Sequence, residues 1–273
     1  MRRSFHGFHP VGLILLVCAL LGGFFAPARA VEPQVMKWTI DGTARLAIVY
    51  PPAVQVGRNK APLIFAFHGH GDNAWFVATE QFAFQNLWPE AVIVYPQGLP
   101  TPAASDPAGE RRGWQHQPGE GGDRDLKLFD AMLRTLRGKF RVDDHRIYAA
   151  GFSNGGFFDY ILWAERGKVF AAFAPCAAAL RAPLQIASPK PVIVVAGEKD
   201  DRVAFAEQEK TIAALRQING CAGPGQPWGA NATLYPSPGG APVAAVILPG
   251  GHAVPHAATE LIARFFREHV LPP

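Results

Sequence analysis

The chain has 273 residues, of which 49% are hydrophobic and 18% charged, with three cysteines and a formal net charge of +4. That length suffices for one well-buried domain, and so few cysteines exclude a disulfide scaffold. The charges are scattered and form no long basic block, which argues against nucleic acid as a partner.

Residues 1–30 have the pattern of an export signal. Arg2 and Arg3 form a basic start, Val11 to Phe25 is apolar, and Ala28-Arg29-Ala30 is an A-x-A cleavage site. An apolar stretch of about 15 residues is short for a hydrocarbon core of about 30 Å, so an uncleaved anchor is disfavoured. Removing the three arginines of this segment lowers the formal charge to about +1. The sequence therefore predicts a secreted or periplasmic protein with one domain over 31–273 and no stable membrane association. Cys176 and Cys221 would remain in an oxidising compartment, which leaves room for one disulfide. Nothing in the sequence sets the oligomeric state.

In chain order, Trp38 to Tyr50 reads as a hairpin that turns near Asp41-Gly42. Short apolar runs follow at Pro62 to His68, Ala91 to Pro96, Arg146 to Ala150, Val169 to Ala174, Pro191 to Ala196 and Val243 to Leu248. Such runs suit strands buried on both faces of a largely parallel sheet. Helices are predicted at Asp125 to Lys139, Asn154 to Arg166, Phe205 to Asn219 and Ala257 to Val270. Strand and helix alternate, which makes the fold class α/β, with helices on both faces of a mostly parallel central sheet. Two long irregular stretches, Gln97 to Gly122 and Cys221 to Gly240, are candidate site walls. The gap from Cys176 to Lys190 is too short for a large cap domain and predicts an open cleft that suits a bulky or polymeric ester.

Gly151-Phe152-Ser153-Asn154-Gly155 lies between a predicted strand and a predicted helix. A G-x-S-x-G pentapeptide in that context is a nucleophile elbow, in which small residues allow a sharp turn that lifts the serine hydroxyl above the sheet. A serine nucleophile needs an imidazole base, and the base needs an acidic partner to hold its tautomer. Downstream strand ends supply both in the order acid then histidine. Asp200, within Gly197-x-x-Asp200-x-x-Val203, is preferred to its neighbour Asp201, and His252 follows Gly250-Gly251. His256 reads as solvent-facing, and no metal-ligand pattern accompanies the histidines. Pro62 to Gly71 ends in the turn His68-Gly69-His70-Gly71, whose backbone N–H groups are candidates for an oxyanion hole with the N–H of Asn154. His70 is the preferred second donor and Gly71 the alternative. No cofactor or metal is required.

With these residues in hand, the chain resembles the secreted esterase family that includes poly(3-hydroxybutyrate) depolymerases and feruloyl esterases, of the α/β-hydrolase fold. The likeness runs from about Ala44 to Phe266. It rests on His68-Gly69-x-Gly71, Gly113-Trp114 before Asp125, Gly151-Phe152-Ser153-Asn154-Gly155, Gly197-x-x-Asp200, Asn219-Gly220-Cys221 and Gly250-Gly251-His252-x-x-Pro255. The resemblance implies Ser153, Asp200 and His252 as triad, with oxyanion donors near His70 and Asn154. Trp114 is open to two readings, a substrate-lining residue or a structural tryptophan. His70 departs from the cysteine or small residue common at its place, and Ala253-Val254 stand where the family often continues to a tryptophan. The partner usual for the cysteine at position 221 is missing, so the resemblance leaves Cys176 as its one candidate partner. The implied activity is hydrolysis of carboxylic esters, with a hydroxybutyrate polymer or oligomer as substrate. A feruloyl or acetylxylan esterase is the alternative, and a non-catalytic binding protein of the same fold is a third reading.

Overall fold

The computed structural model describes Met1 and residues 31–54, 59–181 and 184–272. Beyond Met1, the export signal expected over residues 1–30 lies outside them. In chain order the strands and helices are β1 (Gln34–Ile40), β2 (Thr43–Tyr50), β3 (Ala61–Phe67), α1 (Ala74–Phe76), α2 (Phe84–Leu87), β4 (Val92–Pro96), β5 (Leu99–Pro100), β6 (Arg112–Gly113), α3 (Arg124–Lys139), β7 (Val142–Phe152), α4 (Asn154–Arg166), β8 (Ala172–Cys176), β9 (Val192–Gly197), α5 (Phe205–Ile218), β10 (Gln226–Gly229), β11 (Ala232–Tyr235), β12 (Val243–Leu248) and α6 (His256–Glu268). A π-helical turn, Val77–Gln81, joins α1 to α2.

Ten strands form one sheet in the order β1-β2-β4-β3-β7-β8-β9-β12-β11-β10. The central strands from β4 to β12 run parallel, and antiparallel pairs close both edges. The β1–β2 hairpin turns at Asp41 and Gly42, whose φ values of 47° and 79° give the turn that matches strand twist. The central strands are apolar almost throughout because helices cover both faces. One core contains Leu126 and Phe129 of α3, Phe158 and Ile161 of α4 and Leu215 of α5. The other contains Ala74, Phe84 of α2, and Ile262, Phe265 and Phe266 of α6.

Three expectations are corrected. The stretch Cys221 to Gly240 is not a site wall: it holds β10 and β11, which extend the far edge of the sheet beyond β12. Its glycines and prolines obscure a four-residue antiparallel ladder, Ala232–Tyr235 against Val243 to Val246. The first strand begins at Gln34 rather than Trp38, with alternating exposure along Gln34 to Thr39. Finally, Cys176 and Cys221 form no disulfide among the described residues, and both are free thiols. Cys176 ends β8 in the α6-side core, whereas Cys221 packs in the core on the α3–α5 side. The sheet between the two cores keeps the thiols apart.

Candidate active site

Ser153, Asn154, Asp200, His252 and His70 lie just beyond the carboxyl ends of parallel strands, where open α/β sheets place their ligand crevices. β7 ends at Phe152 and α4 begins at Asn154, so Ser153 alone makes the turn, at φ 52° and ψ −116°. A side chain at Gly151 would strike the Gly155 carbonyl, and one at Gly155 the Phe67 carbonyl. The glycines are thus required by close approach of β7, α4 and β3. Ser153 N–H donates to the Cys176 carbonyl at 2.9 Å and its carbonyl accepts from Phe157 N–H at 2.9 Å, which holds the strained turn from both sides.

Asp200 lies just past β9 with its carboxylate fully buried. Oδ1 accepts the N–H groups of Arg202 and Val203, each at 2.9 Å, while Oδ2 accepts Gln208 Nε2 at 3.0 Å and His252 Nδ1 at 2.8 Å. Burial raises its pKa, but the Val203 N–H, the His252 imidazole and the Arg202 N–H together outweigh burial and hold it below the ordinary value. An ionised carboxylate only accepts, so the proton of the His252–Asp200 bond sits on Nδ1 and leaves Nε2 as the free base. The His252 ring is 9% exposed and lies 4.8 Å, centroid to centroid, from Phe152. Asp201 is exposed, as is His256, which pairs with Glu260 at 3.6 Å. Gln208 was not legible in the sequence, because nothing marks a glutamine eight residues beyond the acid.

Opposite them, β3 runs into His68-Gly69-His70-Gly71. Gly71 N–H donates to the Arg112 carbonyl at 2.8 Å, so it is already engaged, whereas the N–H groups of His70 and Asn154 have no partner among the described residues. His68 is buried; Nε2 accepts Gly98 N–H at 2.9 Å and Nδ1 donates to the Gly69 carbonyl at 2.7 Å. Burial lowers its pKa to about 4, so this ring is a neutral brace. Trp114 does not line the site. It is fully buried, stacks on Phe158 and donates Nε1–H to the His68 carbonyl at 2.9 Å. Its indole fills core space under the turn, the structural alternative of the two open in the sequence.

Ser153, His252, His70 and Asn154 line one cavity of about 880 Å³. The stretch Gln97 to Gly122 does supply a wall, through Ser105, Arg111 and His116, and Phe157, Ile161 and Leu184 make an apolar side. Among the described residues no helix forms between Cys176 and Lys190 to cover the opening. Ser153 and His252 are not hydrogen bonded to each other, and catalytic hydrogen bonds of this kind often form fully only in the reacting complex. Among the described residues no cluster of three metal-ligating side chains forms, and no helix is long and apolar enough to cross a membrane.

The acetyl xylan esterase of Aspergillus awamori superposes with a TM-score of 0.65 over 85% of this chain and 99% of its own, at 13% identity. The chain therefore has the α/β-hydrolase fold. In sequence it is 25% identical over 190 residues, 66% of its length, to a bifunctional acetylxylan esterase/xylanase of Neocallimastix patriciarum, covering 25% of that protein. It is 29% identical over 142 residues, 50% of its length, to feruloyl esterase D of Neurospora crassa, covering 46% of it. Its sequence relatives are thus esterases, in line with the motif resemblance. The chain spans a quarter to just over half the length of the curated relatives it matches. No protein-family model matches it.

Proposed function

We propose that the protein is a serine esterase. The observation that carries this reading is the Asp200–His252 pair, bonded at 2.8 Å, in the same cavity as a serine held at a strained strand-to-helix turn. In the proposed cycle His252 Nε2 takes the Ser153 proton as the hydroxyl attacks the ester carbonyl. The N–H groups of His70 and Asn154 hold the oxyanion, and His252 returns the proton to the leaving alcohol. Water then hydrolyses the acyl-enzyme by the same route. Asp200 steadies the imidazolium that forms twice per cycle.

The substrate we infer is an ester carried on a bulky or polymeric molecule, because no helix among the described residues covers the cavity from the Cys176–Lys190 side. Acetyl or feruloyl esters of plant polysaccharides are supported by the sequence relatives. A hydroxybutyrate polyester or its oligomers is the second reading, supported by the motif resemblance to a family that includes poly(3-hydroxybutyrate) depolymerases as well as feruloyl esterases. The basic start, apolar run and Ala28-Arg29-Ala30 support export before action.

A hydrolysis panel of methyl ferulate, acetylated xylan, hydroxybutyrate oligomers, amorphous polymer and short p-nitrophenyl esters tests both levels. Ser153→Ala is expected to lower kcat about 10⁴-fold or more on whichever ester is turned over. Undiminished turnover by that variant, or no labelling of folded wild-type protein by a fluorophosphonate, would reject the serine mechanism. The preferred ester then decides between the two substrate readings.

A further inference from the structure

His70 occupies a turn position where the resembling family commonly has a cysteine or other small residue, and it is tied down. Its ring, 10% exposed, bonds through Nε2 to Asp106 Oδ2 at 3.2 Å. Asp106 Oδ2 also accepts Arg111 N–H at 2.8 Å, and Oδ1 accepts Glu110 N–H at 3.3 Å. The Arg111 N–H is the chief cause that holds Asp106 below its ordinary pKa. Asp106 is therefore a carboxylate, and Nε2 carries the proton of the His70 bond. His70 Nδ1 is buried without a partner among the described residues and lies against Gly113, where a Cβ would sit 2.8 Å from Nδ1 and 2.9 Å from Asn154 Oδ1. The bare Gly113 backbone thus lets the imidazole seat beside Asn154.

The same segment grips the other half of the site. Trp114 N–H donates to Asn154 Oδ1 at 2.6 Å, Asn154 Nδ2–H returns a bond to the Trp114 carbonyl at 3.2 Å, and Gly71 N–H donates to the Arg112 carbonyl at 2.8 Å. Residues 106–114 are accordingly bonded to both backbone segments that carry the unpartnered N–H groups of His70 and Asn154. Donors aimed at a developing oxyanion act only when held in place beforehand, and small displacements are costly.

We infer that the segment Asp106–Trp114 is a strap that sets the spacing of the two oxyanion donors, with His70 and Asp106 as positioning residues whose side-chain bond locks the His70 end. This inference rests on the esterase reading above.

The test is steady-state kinetics on purified protein with the best ester of the panel, using His70→Ala, His70→Gln, Asp106→Asn and the pair His70→Ala with Asp106→Asn. Every His70 variant keeps the backbone N–H. His70→Ala is expected to lower kcat about 10- to 100-fold with KM changed by less than about twofold. His70→Gln extends a donor N–H toward Asp106 and is expected to recover most of that loss. The double variant is expected to lose less than the product of the two single losses, since the His70–Asp106 bond is removed or weakened in both. A His70→Ala kcat within twofold of wild type would overturn the inference alone, as would equal losses in His70→Ala and His70→Gln with unchanged Tm. A double variant whose losses multiply would also overturn it. Absence of turnover by the wild-type protein on every ester would overturn the esterase reading and this inference together.

Discussion

Asp159 sits fully buried in α4 with neither carboxylate oxygen hydrogen bonded among the described residues. Burial pushes its pKa well above the ordinary 3.8, so the folded protein keeps its proton to higher pH than the unfolded chain does. The unfolded chain ionises this group from about pH 4 upward and the folded chain only at higher pH, so over that window the folded state binds the extra proton and stability falls as pH rises. Asp159→Asn removes that proton linkage. Thermal unfolding of both proteins across roughly pH 4 to 8 is expected to show wild type losing Tm relative to the variant as pH rises, and parallel curves would disprove it. Asp200 has the opposite sign: its pKa is lowered on folding, so its contribution is present above its unfolded pKa and is lost as pH falls through the folded one. Asp200→Asn is also expected to lower kcat about 10⁴-fold by spoiling the His252 tautomer, and Asp201→Asn to leave it unchanged. The order of serine, acid and histidine was legible because each residue follows its own apolar run. The choice of Asp200 over Asp201 rested on spacing, and the structure adds the four bonds that distinguish it.

Among the elements, β2 and α3 are joined by a buried ion pair, Arg45 Nη2 to Asp125 Oδ1 at 2.7 Å, with neither side chain exposed. Asp125 Oδ2 also accepts Gln115 N–H at 2.8 Å, so one carboxylate ties the edge hairpin, the helix start and the loop below Trp114. Breaking such a pair strands the remaining charge in the core. Asp125→Ala is expected to cost about 3–5 kcal/mol in urea unfolding, and Arg45→Met with Asp125→Leu to recover much of it because neither charge then stays buried. A loss below about 1 kcal/mol for Asp125→Ala would mean that the pair is solvated in solution. Strand and helix positions in the central sheet were readable from sequence because burial on both faces demands unbroken apolar runs, and α4 matched at both ends. Short elements were not: α1, the π-helical turn and α2 span Ala74–Leu87 with too few residues for a period to emerge. The Asp106–His70 tie was equally hidden, since a contact across 36 residues leaves no local pattern.

At the scale of the whole molecule, the sheet divides the interior into two cores, and this division decides the state of the cysteines. Counting residues in an oxidising compartment allows a Cys176–Cys221 bridge, because a count carries no information about faces. In the fold each thiol is enclosed by a different core, at 0% and 3% exposure, and burial pushes both thiol pKa values up. A protonated, enclosed thiol neither attacks nor is reached, so oxidation requires unfolding first. A bridge would close a loop of a size worth about 3–4 kcal/mol, which reduction would remove as a fall of several degrees in Tm. The expected result is instead the same Tm with and without reductant. Peptide mapping after alkylation is expected to find Cys176 and Cys221 both unmodified in native protein and both modified after denaturation without reductant. A Tm that drops on reduction, or a linked Cys176–Cys221 peptide, would mean that the two faces are not separated as the sheet order requires.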